Sequence, residues 1–145
     1  MKGRTMADSF QGGCACGAIR YECTARPVIS FNCHCKDCQR FTGSAYISGV
    51  IVPTTAFRLL RGEPTYYTVR ADSGGDTSRG FCAVCGSPVV TRFTSMAQIV
   101  GVPAASFDNP SGHKPAMDIF TSSAQPWDYM NPALPKFSYA PDVKP

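Results

Sequence analysis

Gly12-Gly13-Cys14-Ala15-Cys16-Gly17 and Cys82-Ala83-Val84-Cys85-Gly86 are the two stretches that decide how this chain folds. Each sets two cysteines close together in a glycine-bearing turn, and Cys16 and Cys82 stand 66 positions apart. Two thiols this close do not easily form a disulfide with each other, but they can converge on one ion. Two such pairs fill the tetrahedral shell of a structural zinc, with each sulfur about 2.3 Å from the metal. Glycine after the second cysteine lets the chain turn sharply and aim amide N–H groups at sulfur. An ion held between distant pairs closes a long loop, so it contributes directly to folding. The competing reading, four small core residues, leaves the regular spacing unexplained.

Between these knuckles lies Cys33-His34-Cys35-Lys36-Asp37-Cys38. Three thiols in six residues can reach one ion and leave its fourth position open, the mark of a catalytic or ligand-binding zinc. His34 sits between two ligands, so its side chain is expected to point away from the metal as a structural hydrogen-bonding group. Cys23 is the eighth cysteine. A lone strand cysteine is most often a buried core thiol; the alternative is that it completes the second site and closes it.

The rest of the chain is consistent with a zinc-stapled β domain. At 145 residues it is long enough for one domain that buries roughly 70% of its unfolded surface. Hydrophobic residues make up 43% and charged residues only 17%. No apolar run approaches the roughly 20 residues of a membrane span. Residues 1–10 lack the apolar core of a signal peptide and read as a disordered leader. Eight cysteines without a secretion signal indicate metal ligands in a reducing compartment, the cytoplasm, and not a disulfide framework. The formal charge of +4 invites a nucleic-acid reading. Seven thiolates on two zinc ions would bring it down to about +1, which argues against that partner.

Short alternating or apolar runs predict strands at Ala18–Cys23, Val28–Phe31, Ala45–Val52, Ala56–Leu60, Pro64–Val69, Val89–Phe93, Gln98–Val102 and Met117–Phe120. Glycine and proline turns separate them, so an all-β domain of two packed sheets of short antiparallel strands is expected over residues 11–140. One helical turn is predicted at Asp37–Phe41. The tail from Ala124 to Pro145 carries five prolines and should wrap the domain as irregular chain. Trp127 is expected to pack that tail onto the core. Among charged residues, Lys36, Arg40, Arg79 and Arg92 are candidates to neutralise a carboxylate-bearing ligand. Only His34 and His113 are available as histidine bases.

Gly13-Cys14-x-Cys16-Gly17, Cys33-His34-Cys35-x-x-Cys38-Gln39-Arg40-x-x-Gly43-Ser44 and Phe81-Cys82-x-x-Cys85-Gly86 closely resemble the glutathione-dependent formaldehyde-activating enzyme family, also called CENP-V/GFA. Gln125-Pro126-Trp127 and Leu134-Pro135-Lys136-Phe137 resemble its C-terminal signature, so the likeness runs from about Phe10 to Phe137. The resemblance implies a β-tent zinc fold. It also implies a structural zinc on Cys14, Cys16, Cys82 and Cys85, and a catalytic zinc on Cys33, Cys35 and Cys38. The implied activity is that of a carbon–sulfur lyase on thiol–aldehyde adducts, the thiol being glutathione and the product S-hydroxymethylglutathione. A second function is compatible with the same residues: a non-catalytic zinc-stabilised module that binds a protein or nucleic-acid partner.

Overall fold

The computed structural model describes residues 8–71 and 74–141; residues 1–7, and with them most of the expected leader, lie outside the described residues. Ten strands and one helix follow in order: β1 (Phe10–Gly13), β2 (Arg20–Cys23), β3 (Ile29–Cys33), α1 (Lys36–Thr42), β4 (Ile47–Pro53), β5 (Phe57–Arg61), β6 (Thr65–Arg70), β7 (Asp76–Phe81), β8 (Pro88–Phe93), β9 (Ile99–Pro103) and β10 (Asp118–Ile119). They form a three-stranded sheet, β1-β2-β5, and a seven-stranded sheet, β10-β3-β4-β9-β8-β7-β6. All pairings are antiparallel except that of β10 with β3. The expected all-β architecture of two sheets is what the chain adopts. No helix among the described residues is long and apolar enough to cross a membrane.

The main core lies where the sheets meet. Tyr21, Cys23 and Phe57 of the small sheet pack with Val50, Val52, Val89, Val90, Val100 and Val102 of the large one. The valines are β-branched and suit a pleated, buried surface. Tyr21 carries its hydroxyl into this core and satisfies it on Ser106 Oγ at 2.6 Å. Phe10, assigned by sequence to the leader, instead opens β1, with its ring on Phe107 at 4.7 Å.

Two strands had no signature in the sequence. β1, FQGG, has no apolar alternation, because Gly12 must be bare: a Cβ there would overlap Ser106 O and the Tyr21 ring. β7, DTSRGF, buries only Thr77 and Gly80, and Gly80 lies under Tyr66, Pro64 and Val90. Where inward positions must be small or polar, period-two hydrophobicity vanishes.

A second, smaller apolar cluster surrounds Cys33 and Cys38, built from Met117 and Ile119 with Ile29, Phe31, Ile47, Phe120 and Phe137. Phe137 comes from the tail. The tail has no helix or strand over its described residues, and it runs beside β10 through Phe137 N to Asp118 O at 2.9 Å and Asp118 N to Pro135 O at 2.9 Å.

Candidate functional site

The chain brings seven of its eight cysteines into two groups, and they are the groups the spacing predicted. Cys14, Cys16, Cys82 and Cys85 have their sulfurs within 4.8 Å of one another, as do Cys33, Cys35 and Cys38. All eight thiols are free of disulfides.

The first group ties the two sheets together. β1 ends at Gly13 and delivers Cys14 and Cys16, while the β7–β8 turn delivers Cys82 and Cys85. Cys14 Sγ lies 3.6 Å from Cys16 Sγ, and Cys16 Sγ lies 3.8 Å from Cys82 Sγ. A tetrahedron of sulfurs about 2.3 Å from a central zinc has edges of about 3.8 Å, so this donor set fits the ion. The turns support the same reading. Gly17 and Gly86 both take positive φ, 81° and 79°, a region glycine enters without steric cost. Ile19 N donates to Cys14 Sγ at 3.2 Å and Val84 N to Cys82 Sγ at 3.4 Å. Ser87 Oγ, 3.2 Å from Cys85 Sγ, together with the Ser87 amide lowers the Cys85 thiol to about 5. Thiolates are the metal-binding form.

The second group is local. Cys33 closes β3, Cys35 is the N-cap of α1, and Cys38 is on the buried face of that helix. Cys38 N donates to Cys35 Sγ at 3.3 Å, so a sulfur fills the capping role usually taken by an oxygen. Hydrogen bonds from Cys33 and then Cys38 pull the Cys35 thiol down to about 2, and Arg79 adds to the effect by charge. Arg79 reaches across from β7 and places Nη2 3.9 Å from Cys38 Sγ. Cys33 and Cys38 are buried, whereas Cys35 is half-exposed. Three sulfurs this close together could hold one ion.

His34 points away from these sulfurs, as its placement implied, into a buried polar network. Nε2 is hydrogen-bonded with Asp118 Oδ1 at 2.8 Å and Nδ1 with Asp128 Oδ2 at 2.5 Å. Lys136 Nζ holds the other Asp118 oxygen at 2.8 Å, and Asn32 Nδ2 donates to Oδ1 at 3.2 Å. Each side chain of the quartet Asp118, Asp128, His34 and Lys136 has a polar partner within it, which is how polar groups are tolerated at this depth. Burial pushes the Asp118 carboxyl up, but the bonds from Lys136, His34 and Asn32 outweigh it and hold it below the ordinary value. Sequence reasoning missed Asp118 and Asp128. They lie 84 and 94 positions from His34, and no local spacing connects them.

The network also fixes the tail beside the second cysteine group. Gln39 Nε2 donates to His34 O at 2.7 Å and Ser123 O at 3.0 Å, and Gln125 Nε2 donates to Gln39 Oε1 at 3.1 Å. Trp127 departs from expectation: it does not pack onto the core but stands 69% exposed. With Lys36, Gln39, Arg40, Gly43, Ser44 and Gln125 it lines a cleft of about 410 Å³.

The remaining candidates fall elsewhere. Cys23 is fully buried in the main core, with Sγ toward Ala25 O at 3.6 Å, and joins neither group. Its core reading therefore holds. Arg92 donates to Tyr66 Oη at 3.0 Å and lies over the Phe57 ring, so it serves the sheet. His113 bonds Ser48 Oγ at 2.7 Å and packs edge-on to Phe107.

A family model described as "Glutathione-dependent formaldehyde-activating enzyme" matches residues 9–123, most of the chain. Among solved structures, the chain is similar to a crystal structure of a Rhodobacter sphaeroides protein studied as a structural-genomics target. The two share 18% identity, with a TM-score of 0.57 over 88% of this chain and 98% of that one. At that identity the likeness concerns the fold alone.

Proposed function

Because this chain belongs to the glutathione-dependent formaldehyde-activating enzyme family, we propose that it is a zinc-dependent enzyme of carbon–sulfur lyase type acting on thiol–aldehyde adducts, with glutathione as the thiol. One contrast carries this reading. The Cys14/Cys16/Cys82/Cys85 group has four sulfurs and joins two sheets, as a folding site should. The Cys33/Cys35/Cys38 group has three, all from one short stretch of chain, and the helix that carries Cys38 also lends Lys36, Gln39 and Arg40 to a cleft.

The net reaction joins a thiol sulfur to an aldehyde carbon, with the thiol proton ending on the former carbonyl oxygen; the lyase direction is its reverse. A zinc ion held by Cys33, Cys35 and Cys38 would supply a position where an entering thiol loses its proton. The chain's own residues do the rest. Arg79 puts a cation against a site already crowded with thiolate charge. His34 and Gln39 lock the turn between Cys33 and Cys38, so the sulfurs keep their spacing. Three thiolates make the ion a weak Lewis acid, so orienting a thiol suits this site better than activating water. The free cysteines suit a reducing compartment, the cytoplasm.

Cys35→Ser tests the assignment, since it alters the half-exposed ligand and leaves the tetrad intact. Glutathione binding and turnover of S-hydroxymethylglutathione should fall by more than the roughly 10–100-fold that losing an outer-shell partner costs a metal site. The melting temperature should move little. If binding and turnover both survive in the folded variant, the open site lies elsewhere.

A further inference from the structure

Arg79 has a sulfur for its partner and not a carboxylate. It lies on β7, 41 positions beyond Cys38, and its Nη2 stands 3.9 Å from Cys38 Sγ. It is half-buried and makes no ion pair among the described residues, whereas Arg20, Arg26, Arg58, Arg70 and Lys136 each face a carboxylate. A guanidinium stays charged in proteins and carries several N–H donors in a fixed fork. Among the described residues the contacts of Arg79 use one of them.

The sheet register puts Arg79 on the same face as the second cysteine group. Arg79 faces Thr91, Thr91 faces Gly101, Gly101 faces Ile51, and Ile51 faces Ile29. Residues opposite one another across a sheet share a face, so these form one row. Cys33 lies four positions beyond Ile29 on β3 and shares that face. Between β7 and β4 the row holds only a threonine and a glycine. A Cβ at Gly101 would find its nearest atoms at ordinary contact distance, Thr91 Cβ at 3.7 Å and Ile51 Cδ1 at 3.8 Å. Strand packing therefore does not demand a bare residue there, and its bareness keeps this part of the face low.

Adduct formation moves negative charge from sulfur to oxygen. The thiolate electron pair forms the C–S bond and the carbonyl π pair goes to oxygen. That oxygen then takes a proton from water in place of the one the thiol gave up. A donor aimed at the place where charge develops lowers such a barrier. Neither histidine supplies one: His34 has both ring nitrogens on Asp118 and Asp128, and His113 is bonded to Ser48. Lys36 and Arg40 are on the exposed side of α1, whereas Cys38 is on its buried side. We propose that Arg79 is a catalytic residue, whose remaining guanidinium N–H groups donate to the aldehyde oxygen as the C–S bond forms and hold the alkoxide until it is protonated. The guanidinium keeps its charge throughout and gives up no proton. In the lyase direction it holds the same oxygen while the C–S bond breaks. This rests on the thiol–aldehyde reading of the second cysteine group.

Arg79→Met and Arg79→Lys are compared with the parent, all zinc-loaded, with zinc content and melting temperature measured on each. Exchange NMR follows adduct formation from glutathione and formaldehyde above the uncatalysed rate. In Arg79→Met kcat should fall about 10²–10³-fold, the cost of losing an oxyanion donor. The KM for glutathione should stay within about threefold of the parent, since the lost interaction belongs to the transition state. Added guanidinium ion should restore part of the rate, and Arg79→Lys should keep more of it than Arg79→Met. Calorimetry gives a second readout without turnover. S-sulfoglutathione carries anionic oxygens on the atom next to the glutathione sulfur. It should bind Arg79→Met about tenfold more weakly than the parent, equivalent to about 1.4 kcal/mol, while glutathione binds both alike. Equal weakening of the two ligands, or loss of zinc with the arginine, would make Arg79 a counter-ion to the thiolates and overturn the catalytic role. So would a folded, zinc-loaded Arg79→Met whose kcat is unchanged. If the parent neither binds glutathione nor accelerates the adduct, the thiol–aldehyde reading itself fails, and the role of Arg79 goes with it.

Discussion

Cys82→Ser is expected to leave the chain without a cooperative thermal transition and without its tightly held metal. Cys82 is 2% exposed, directly follows the β7 strand, and its Sγ lies 3.8 Å from Cys16 Sγ on the other knuckle. A serine oxygen is shorter, harder and protonated, so it is a poor substitute for thiolate. The loss is large because of where the group sits. It fastens β1 of the small sheet to the β7–β8 turn of the large one, closing a loop of 66 positions. Structural zinc in small domains supplies about 10–16 kcal/mol of apparent binding energy, and that energy is folding energy. A domain whose whole stability is about 5–15 kcal/mol does not survive its removal. Circular dichroism on heating, with metal content on the same sample, checks this. Cys23→Ala is the control: it empties a core site with no metal role and should cost only about 1–3 kcal/mol. Equal losses in both variants would reduce the tetrad to ordinary core packing.

His34→Ala is expected to cost about 3–5 kcal/mol, the range for breaking one member of a buried charge network. Asp118 would keep Lys136 and Asn32. Asp128 would not fare as well: its Oδ2 is held by His34, and its Oδ1 is already buried without a hydrogen-bond partner. The tail should therefore loosen on the side of the second cysteine group. Denaturant unfolding measures the energy, and Trp127 emission reports the tail, since residue 127 adjoins Asp128. A loss under about 1 kcal/mol with unchanged emission would mean that the quartet does not hold the tail.

The parts of the molecule that sequence foretold are those governed by local spacing. Cys14-x-Cys16 and Cys82-x-x-Cys85 converge because their turns are short and glycine-bearing, and Cys33, Cys35 and Cys38 because a strand end runs straight into the first turn of α1; each such segment can be recognised from a few residues. Strands such as Ile47–Pro53 and Ile99–Pro103 announced themselves by valine and isoleucine. Phe10–Gly13 and Asp76–Phe81 did not, because close approach of neighbouring groups requires glycine or small polar residues at their inward positions. The partners of His34 were illegible for a different reason. Asp118 and Asp128 meet it only after β10 pairs with β3 and the tail is laid beside β10. Trp127 reads as a core anchor from composition alone, because nothing in its own segment shows that Gln39 and His34 hold its neighbours and leave the ring outside.

The central claim is that one chain holds two metal sites of unequal kind, a closed one that folds the domain and an open one that works. Zinc content per chain, measured before and after brief treatment with a chelator while the far-ultraviolet spectrum is followed, tests it most directly. The account predicts two zinc ions falling to one with the fold retained, thiol binding lost, and both restored when zinc is returned. A single ion from the outset, or two that leave together as the chain unfolds, would contradict it and leave a zinc-stabilised binding module in its place.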